Sequence, residues 1–185
     1  MLLTLRIKLA NIKNPPVWRK LVVPAKFSFH RLHLLIQAAF GWENYHLYLF
    51  SDKGHQADIV ISEPRDEDWR EVKDSHKVKL SDVFTQEKQQ YQYIYDFGDD
   101  WLHLITVEKI EDLQATKAEC LGGKGMCPPE DCGGPWGYEA LKEKLANPND
   151  PEYEFMREWL GMEEDERWDA NYFDLELTKE LVRRV

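Results

Sequence analysis

The chain has 185 residues, of which 24 are Lys or Arg and 34 are Asp or Glu, for a formal net charge of −10. This length suits one domain with a sizeable hydrophobic core, which we predict over residues 1–185. No apolar run approaches the ~18 residues that cross a bilayer, and Arg6 and Lys8 interrupt the apolar N-terminus where a signal peptide would be continuous. Three cysteines do not suggest a disulfide framework, so we predict a reduced, cytoplasmic protein without membrane attachment.

Charge is distributed unevenly along the chain. The first 42 residues contain seven Lys or Arg and no Asp or Glu, so the remainder carries 17 basic and 34 acidic side chains, or −17. Two interpretations are open. The basic segment could form a face that binds phosphate or an acidic partner, or it could lie near the acidic remainder of the same chain. Duplex-binding domains usually carry a basic balance overall, which favours the second interpretation.

The first elements in chain order are two strands and a helix. Leucine or isoleucine alternates with other residues through residues 3–9, which predicts a half-buried strand, and residues 17–23 predict its partner. Ser28 is a favourable N-cap and Gly41 a favourable helix end, with an apolar stripe between them. We expect His30, His33 and Gln37 to lie on a different face of this helix, with the two histidines as a solvent-facing pair rather than metal ligands.

Short segments connect this helix to an aromatic hairpin. Residues 46–50 and 57–62 predict two short strands, residues 63–79 a charged excursion, and residues 80–84 a single helical turn.

The hairpin itself is predicted from alternation over residues 90–108. Tyrosines recur on one strand face, and bulky side chains recur on the returning strand. A three-residue turn at Gly98–Asp100 would pair Tyr95 with His103 and set both sets of rings side by side. A two-residue turn with glycine at its first central position is also favourable, and it would place the tyrosine rings beside leucines of the returning strand. We predict the three-residue turn because it places more bulky side chains on one face.

Helices are predicted after a loop rich in Cys, Gly and Pro at residues 120–137. Residues 138–146 predict a short helix, Asp150 is a favourable cap for the next one, and Asp174 is a favourable cap for the last. The apolar face of the middle helix comprises Phe155, Met156, Trp159 and Leu160. Strands early and helices late predict an α+β fold, with a mainly antiparallel sheet, helices packed on one face, and a helical C-terminal part.

The three cysteines are one candidate metal site. Cys120, Cys127 and Cys132 could hold zinc if a His or Asp, such as His103, supplied the fourth ligand. No Cys-x-x-Cys pair is present, so the other interpretation is a tight loop with small, mostly buried thiols. A redox-active pair of Cys127 and Cys132 is a further alternative.

Acidic side chains and an imidazole surround the hairpin turn and form a second candidate site. Asp96, Asp99, Asp100 and His103 could bind a hard cation or act as acid and base, joined by Glu130 and Asp131 from the loop. The structural interpretation is that Asp99 and Asp100 satisfy the backbone of the turn.

Three stretches of sequence resemble a known family. YDFGDDWLH at 95–103, CPPEDCGGPWGY at 127–138 and LHLLIQAAFGWENYHLYLF at 32–50 are similar to the plasmid pRiA4b ORF-3-like family. The resemblance covers nearly the whole chain and implies an α+β fold. Members occur on plasmids and beside transposon genes, sometimes under a resolvase-like label, but the resemblance brings no activity, cofactor or catalytic residue. No serine-recombinase motif is visible here.

Our main functional hypothesis is a non-enzymatic binding module, accessory to mobile-element or nucleic-acid processes, with a protein or nucleic-acid partner. We expect the cysteine loop to fold over the hairpin tip and form one cleft. Stacking surface would come from Tyr93, Tyr95, Trp101 and Trp136. Polar contacts would come from His46, Asp96, Asp99, Asp100 and His103. The alternatives are a metal-dependent, nuclease-like hydrolase that uses the Asp/His turn or a zinc site at the cysteines, and a purely structural role for both motifs.

Overall fold

A computed structural model describes all 185 residues and contains one sheet of eight strands with four α-helices. The strands are β1 (Leu2–Leu9), β2 (Trp18–Pro24), β3 (Tyr48–Ser51), β4 (Ile59–Ser62), β5 (Glu71–Asp74), β6 (Gln90–Tyr95), β7 (Trp101–Glu111) and β8 (Glu119–Lys124). The helices are α1 (Phe29–Phe40), α2 (Gly134–Leu145), α3 (Tyr153–Trp159) and α4 (Leu175–Arg184). Short 3₁₀ turns occupy Gly54–Gln56 and Leu80–Asp82. None of the helices combines the length and apolarity that crossing a bilayer requires.

The sheet is antiparallel except at one edge. Its strand order is β5-β4-β3-β6-β7-β1-β2-β8, and only β4 and β5 run parallel. A core of 33 buried apolar residues joins one face of this sheet to α1, α2 and α4. The predicted α+β fold, with a mainly antiparallel sheet and helices on one face, is therefore confirmed.

Local sequence signals account for the first strand and the first helix. Leu5 and Ile7 lie on one face of β1 and are fully buried, whereas Lys8 lies on the other face and is exposed, as the alternation predicts. Ser28 caps α1 by accepting a hydrogen bond from the backbone N–H of Arg31 at 3.2 Å. Gly41 ends the helix at φ +82°, a conformation that glycine adopts without steric strain.

Several cations of the basic N-terminal segment are used within the molecule. Arg19 is buried, and its Nε donates to the carbonyl of Ala39 at 2.8 Å. Lys20 lies 2.6 Å from a carboxylate oxygen of Glu108, and Arg6 lies 3.9 Å from the other. These contacts favour the interpretation that the basic segment lies near the acidic remainder of the same chain.

The hairpin turn differs from the predicted one. Tyr95 pairs with Trp101 and Tyr93 pairs with His103, so five residues rather than three connect β6 to β7. Asp96 and Asp100 both adopt positive φ, and the N–H of Asp100 donates to the carbonyl of Asp96 at 2.7 Å. The predicted register was therefore wrong by two residues. Such a shift keeps each side chain on its predicted face, so both sets of rings still share the core face.

The cysteine loop and the third helix also differ from expectation. Cys120 lies in β8, which pairs with β2, rather than in a loop. Asp150 does not cap α3 as predicted, because its carboxylate accepts from the N–H of Glu152 and the helix begins at Tyr153. The turn at Asp150 thus precedes the helix instead of opening it.

Candidate metal centre at the hairpin–loop junction

Three segments meet at what we call the hairpin–loop junction: the β6–β7 turn (96–100), the segment after α1 (41–47) and the loop before α2 (125–133). Tyr95 Oη donates to Glu130 Oε1 at 2.9 Å, and the N–H of Gly133 donates to Asp99 Oδ2 at 3.1 Å. Trp42 Nε1 donates to the carbonyl of Pro128 at 2.9 Å. The loop therefore lies against the hairpin tip, as we expected.

The junction brings one histidine and two aspartates into a single cluster. The candidate ligand atoms of His46, Asp96 and Asp131 all lie within 4.8 Å of one another. His46 Nε2 is 3.2 Å from Asp131 Oδ1, and His46 Nδ1 is 3.8 Å from Asp96 Oδ1. Each residue comes from a different segment, so only the folded chain assembles the cluster.

Glu130 supplies a fourth carboxylate beside this cluster. Its Oε1 accepts hydrogen bonds from Tyr95 Oη and from the N–H of Glu43, both at 2.9 Å. Burial, and then the hydrogen bond to Glu130, raises the pKa of Tyr95, which keeps its hydroxyl protonated as a donor. Glu130 Oε2 lies 4.0 Å from His46 Nε2 and is buried without a hydrogen bond in the protein. Unpaired buried polar atoms are unfavourable, so this spot favours a bound ligand.

The backbone at the cluster adopts an uncommon conformation. Asp96 and Asp131 have φ values of +54° and +55°. Aspartate tolerates this region better than most residues, although it still costs free energy. At Asp96 the turn is held by its N–H, which donates to the carbonyl of Leu47, and by its Oδ1, which accepts from the N–H of Gly98. Sparsely populated conformations of this kind concentrate at functional sites.

The donor set suits a divalent cation. An imidazole nitrogen with carboxylate oxygens matches the ligand preferences of Zn²⁺ and Mn²⁺. Asp96 is buried, whereas the side chain of Asp131 is 70% exposed. A cation held here would therefore face solvent on the Asp131 side and keep coordination positions for another molecule.

The predicted acid–base group at the turn does not come together. Asp99 caps the N–H of Gly133, and Asp100 lies 2.8 Å from His55 Nε2. His103 is fully buried, and its Nδ1 donates to the carbonyl of Trp101 at 2.9 Å. Burial lowers the pKa of His103 to about 3, so the imidazole is neutral and faces the core. Of the four turn residues only Asp96 reaches the cluster, where it meets Asp131 from the loop.

The predicted stacking surface is mostly interior. Tyr93, Tyr95 and Trp101 have no exposed area, because the face of the hairpin that carries them packs under α1. Their rings stabilise the core and cannot stack on a ligand. Trp136 at the start of α2 is 88% exposed and is the one ring of the four that remains accessible.

The three cysteines do not form the predicted zinc set. All are free thiols, and neither group of three potential metal ligands in the molecule includes one. Cys120 is buried within the sheet, whereas Cys127 and Cys132 lie in the loop. Burial raises the pKa of all three thiols, that of Cys132 to about 12, which disfavours the thiolate that zinc requires.

A second cluster, His30, Glu63 and His76, has less suitable geometry for a metal. Both imidazoles lie near Glu63 Oε1, at 3.2 and 3.4 Å. Their rings are stacked, however, with centroids 3.8 Å apart and planes 22° from parallel. Imidazole lone pairs lie in the ring plane, so the two nitrogens do not point at a common position. His33 is not in this cluster, since it is buried rather than solvent-facing as predicted.

The sequence predicts Asp96 and Asp131 as parts of one candidate metal site, and His46 and Asp96 as polar contacts, but no local pattern places all three together. The preference of aspartate for positive φ at a sharp turn is the one local signal that marks both acidic members of the cluster. Nothing local pairs His46 with Asp131, because that contact arises from tertiary folding.

Comparison with known proteins identifies the family. The model of the plasmid pRiA4b ORF-3-like protein family matches residues 1–177. The chain belongs to this family. The uncharacterized protein y4hQ of Sinorhizobium fredii (strain NBRC 101917 / NGR234) is similar to this chain, with 37% identity over 174 residues that cover 92% of this chain and 87% of the relative.

A solved structure shares the fold. The crystal structure of a protein of unknown function, MM3350 from Methanosarcina mazei Go1, matches with a TM-score of 0.78 and 35% identity, over 95% of this chain and 96% of that one. This pRiA4b ORF-3-like chain therefore has a fold also seen by crystallography. Family membership supplies no activity, so the chemistry of the junction rests on its own geometry.

Proposed function

We propose that this protein is a binding module that holds a divalent cation at the hairpin–loop junction. His46, Asp96 and Asp131 are the ligands, and a partner molecule binds on the solvent side of the cation. The observation that supports this most directly is the convergence of three ligand atoms within 4.8 Å from three separate segments. A role beside mobile elements stays a prediction from the family resemblance.

Charge balance supports the same assignment. Asp96, Glu130 and Asp131 place three carboxylates around one imidazole. His46 is the only side chain that forms an ion pair with these carboxylates in the protein. A divalent cation supplies more positive charge at the same position and reaches the oxygen of Glu130 that has no partner. Bound metal would thus tie the loop to the hairpin as well as form a site.

The test is metal binding by the purified, metal-free protein. Mn²⁺ and Zn²⁺ are titrated by calorimetry, and thermal unfolding is followed in parallel. At 100 times the dissociation constant a cation stabilises the folded state by about 2.7 kcal/mol, or roughly 5–10 °C for a chain of this size. Binding should weaken as the pH falls, because protons compete for the ligand atoms.

Two variants and a matched control test which residues bind the cation. Asp131→Asn and His46→Ala should abolish the stabilisation, and Asp131 is exposed enough that its replacement leaves the core intact. Asp100→Asn is the control, because Asp100 lies at the same hairpin tip and its carboxylate pairs only with the exposed His55. If neither metal binds, or if Asp131→Asn binds as tightly as the unaltered protein, the proposal fails.

A second candidate is a metal-dependent hydrolase centred on the same cluster. The supporting observation is Glu130 Oε2, which lies beside the cluster without a partner. A carboxylate there would serve as a general base if a cation activated a water. Glu130→Gln retains the oxygen that binds Tyr95, so it isolates this role. Mn²⁺-dependent cleavage of bis-p-nitrophenyl phosphate that Glu130→Gln removes would support catalysis. Metal binding without any cleavage would contradict the hydrolase and support the binding module.

A further inference from the structure

The third helix leaves its apolar side chains uncovered. α3 packs beside α2 but contains no buried residue. Phe155 is 61% exposed and Trp159 is 44% exposed. Isolated exposed apolar residues are common, but a group of them on one short helix marks an interaction surface.

These side chains form one wall of a groove between the two helices. Its volume is about 290 Å³. The lining residues are Asp131, Cys132, Gly137, Ala140, Leu141, Lys144, Phe155, Met156 and Trp159. Small-molecule pockets usually span roughly 300–1,000 Å³, so this groove suits a few side chains of a larger partner better than a complete ligand.

The segment that carries α3 is strongly acidic. Residues 150–169 contain nine Asp or Glu and two Lys or Arg, a net charge of −7. The nearby cations are already engaged. Lys144 pairs with Glu152 at 2.6 Å, and Arg157 donates to the carbonyls of Glu163 and Glu164. Glu154 on α3 is 82% exposed and lies 3.9 Å from Arg157, whereas Glu158 on the same helix is exposed and forms no ion pair, so it is left to attract an external cation.

We infer that the groove between α2 and α3 docks a basic amphipathic helix from a partner protein. An apolar face would fill the groove, and flanking Lys or Arg side chains would meet the carboxylates of the α3 segment. A second copy of this chain fits less well, because a two-fold contact through the groove would bring the acidic α3 segments of both copies together. An anionic membrane surface is repelled for the same reason.

The aromatic residues that define this surface are not part of the proposed cation site. Asp131 lines one end of the groove, but Phe155 and Trp159 are not ligands of the junction. Replacing the two rings therefore tests docking and leaves cation binding unchanged. The two proposals can fail independently.

The experiment uses a synthetic leucine–lysine peptide with the spacing of an amphipathic helix, and a leucine–glutamate peptide of the same pattern as its counterpart. Fluorescence anisotropy of each labelled peptide is measured against the full-length protein. We expect the lysine peptide to bind, with affinity that falls as salt rises, and the glutamate peptide not to bind.

Phe155→Ser and Trp159→Ser should each weaken binding at least about tenfold, since central aromatic residues carry most of the affinity of such interfaces. Both side chains are exposed, so the variants should fold, and circular dichroism confirms this. Trp69→Ser is the control, because Trp69 is 81% exposed and lies outside the groove.

Four results would overturn the inference. They are no binding of the lysine peptide, equal binding of the glutamate peptide, equal losses in Trp69→Ser and Trp159→Ser, and self-association of the protein that Trp159→Ser abolishes. The last result would assign the groove to a second copy of the chain.

Discussion

At the scale of single residues, the most consequential group is a buried polar network under α1. His33 Nδ1 lies 2.8 Å from Tyr93 Oη, and His33 Nε2 lies 2.6 Å from Asn44 Oδ1. Gln37 Nε2 donates to the same tyrosine hydroxyl at 3.0 Å, and Gln37 Oε1 accepts from the N–H of Asn44. The network links α1, β6 and the segment that carries His46. It explains why His33 and Gln37 are buried despite being polar.

Tyr93→Phe should destabilise the protein by about 1–3 kcal/mol, because it leaves two buried groups, His33 Nδ1 and Gln37 Nε2, without a partner. The free energy of unfolding in urea is the measurement. Tyr91→Phe is the matched control on the same strand, since its partly buried hydroxyl makes no hydrogen bond in the protein. Equal stabilities of the two variants would show that the network contributes little.

At the scale of elements, the junction depends on how closely the loop approaches α2. A Cβ atom added at Gly137 would lie 1.8 Å from the carbonyl oxygen of Cys132, and one at Gly134 would lie 2.5 Å from the carbonyl oxygen of Asp99. Both contacts involve backbone, which cannot move aside as a flexible side chain can. The two glycines therefore allow the loop, the hairpin tip and the helix start to meet.

Gly137→Ala should cost about 1–3 kcal/mol of stability, because the methyl group forces the backbone of the loop away from α2. It should also weaken Mn²⁺ binding, since Asp131 lies in the displaced loop. Gly122→Ala in β8 is the control, because an added Cβ there meets nothing within 4 Å. Urea unfolding and calorimetry check both effects. Unchanged metal affinity in Gly137→Ala would mean that the loop position does not define the site.

Elements with strong local signals could be predicted from the sequence, and elements stabilised by distant contacts could not. Alternation places β1, and Ser28 begins α1. β8 has no such signal, and its Gly123 lies beside the Phe173 ring, 2.7 Å from where a Cβ would lie, a contact that only the folded chain forms. The candidate site was predictable to the same degree. Its location at the hairpin tip followed from local pattern, whereas the partnership of His46 with Asp131 depends on the tertiary fold.

At the scale of the whole molecule, the position of buried histidines between sheet and helices sets the response to acid. Burial lowers the pKa of His33 and of His103 to about 3, compared with an ordinary value of 6.5. Burial, together with the neighbouring His76, lowers the pKa of His30 as well. Between pH 6.5 and about pH 3, these histidines bind protons in the unfolded chain but not in the folded protein. Stability is therefore complete above the ordinary pKa and decreases as the pH falls through it toward 3.

Protonation of His33 and of His103 in the unfolded chain should each lower the free energy of unfolding by about 1.4 kcal/mol between neutral pH and about pH 5.5, one unit below the ordinary pKa. Urea unfolding at the two pH values measures the sum. His103→Asn keeps a donor for the Trp101 carbonyl but removes the titrating ring, so it should lower stability at neutral pH while reducing its dependence on acid. If the slope is the same in His103→Asn as in the unaltered protein, the buried imidazoles are not what links stability to acid, and the carboxylates of the acidic surface become the explanation.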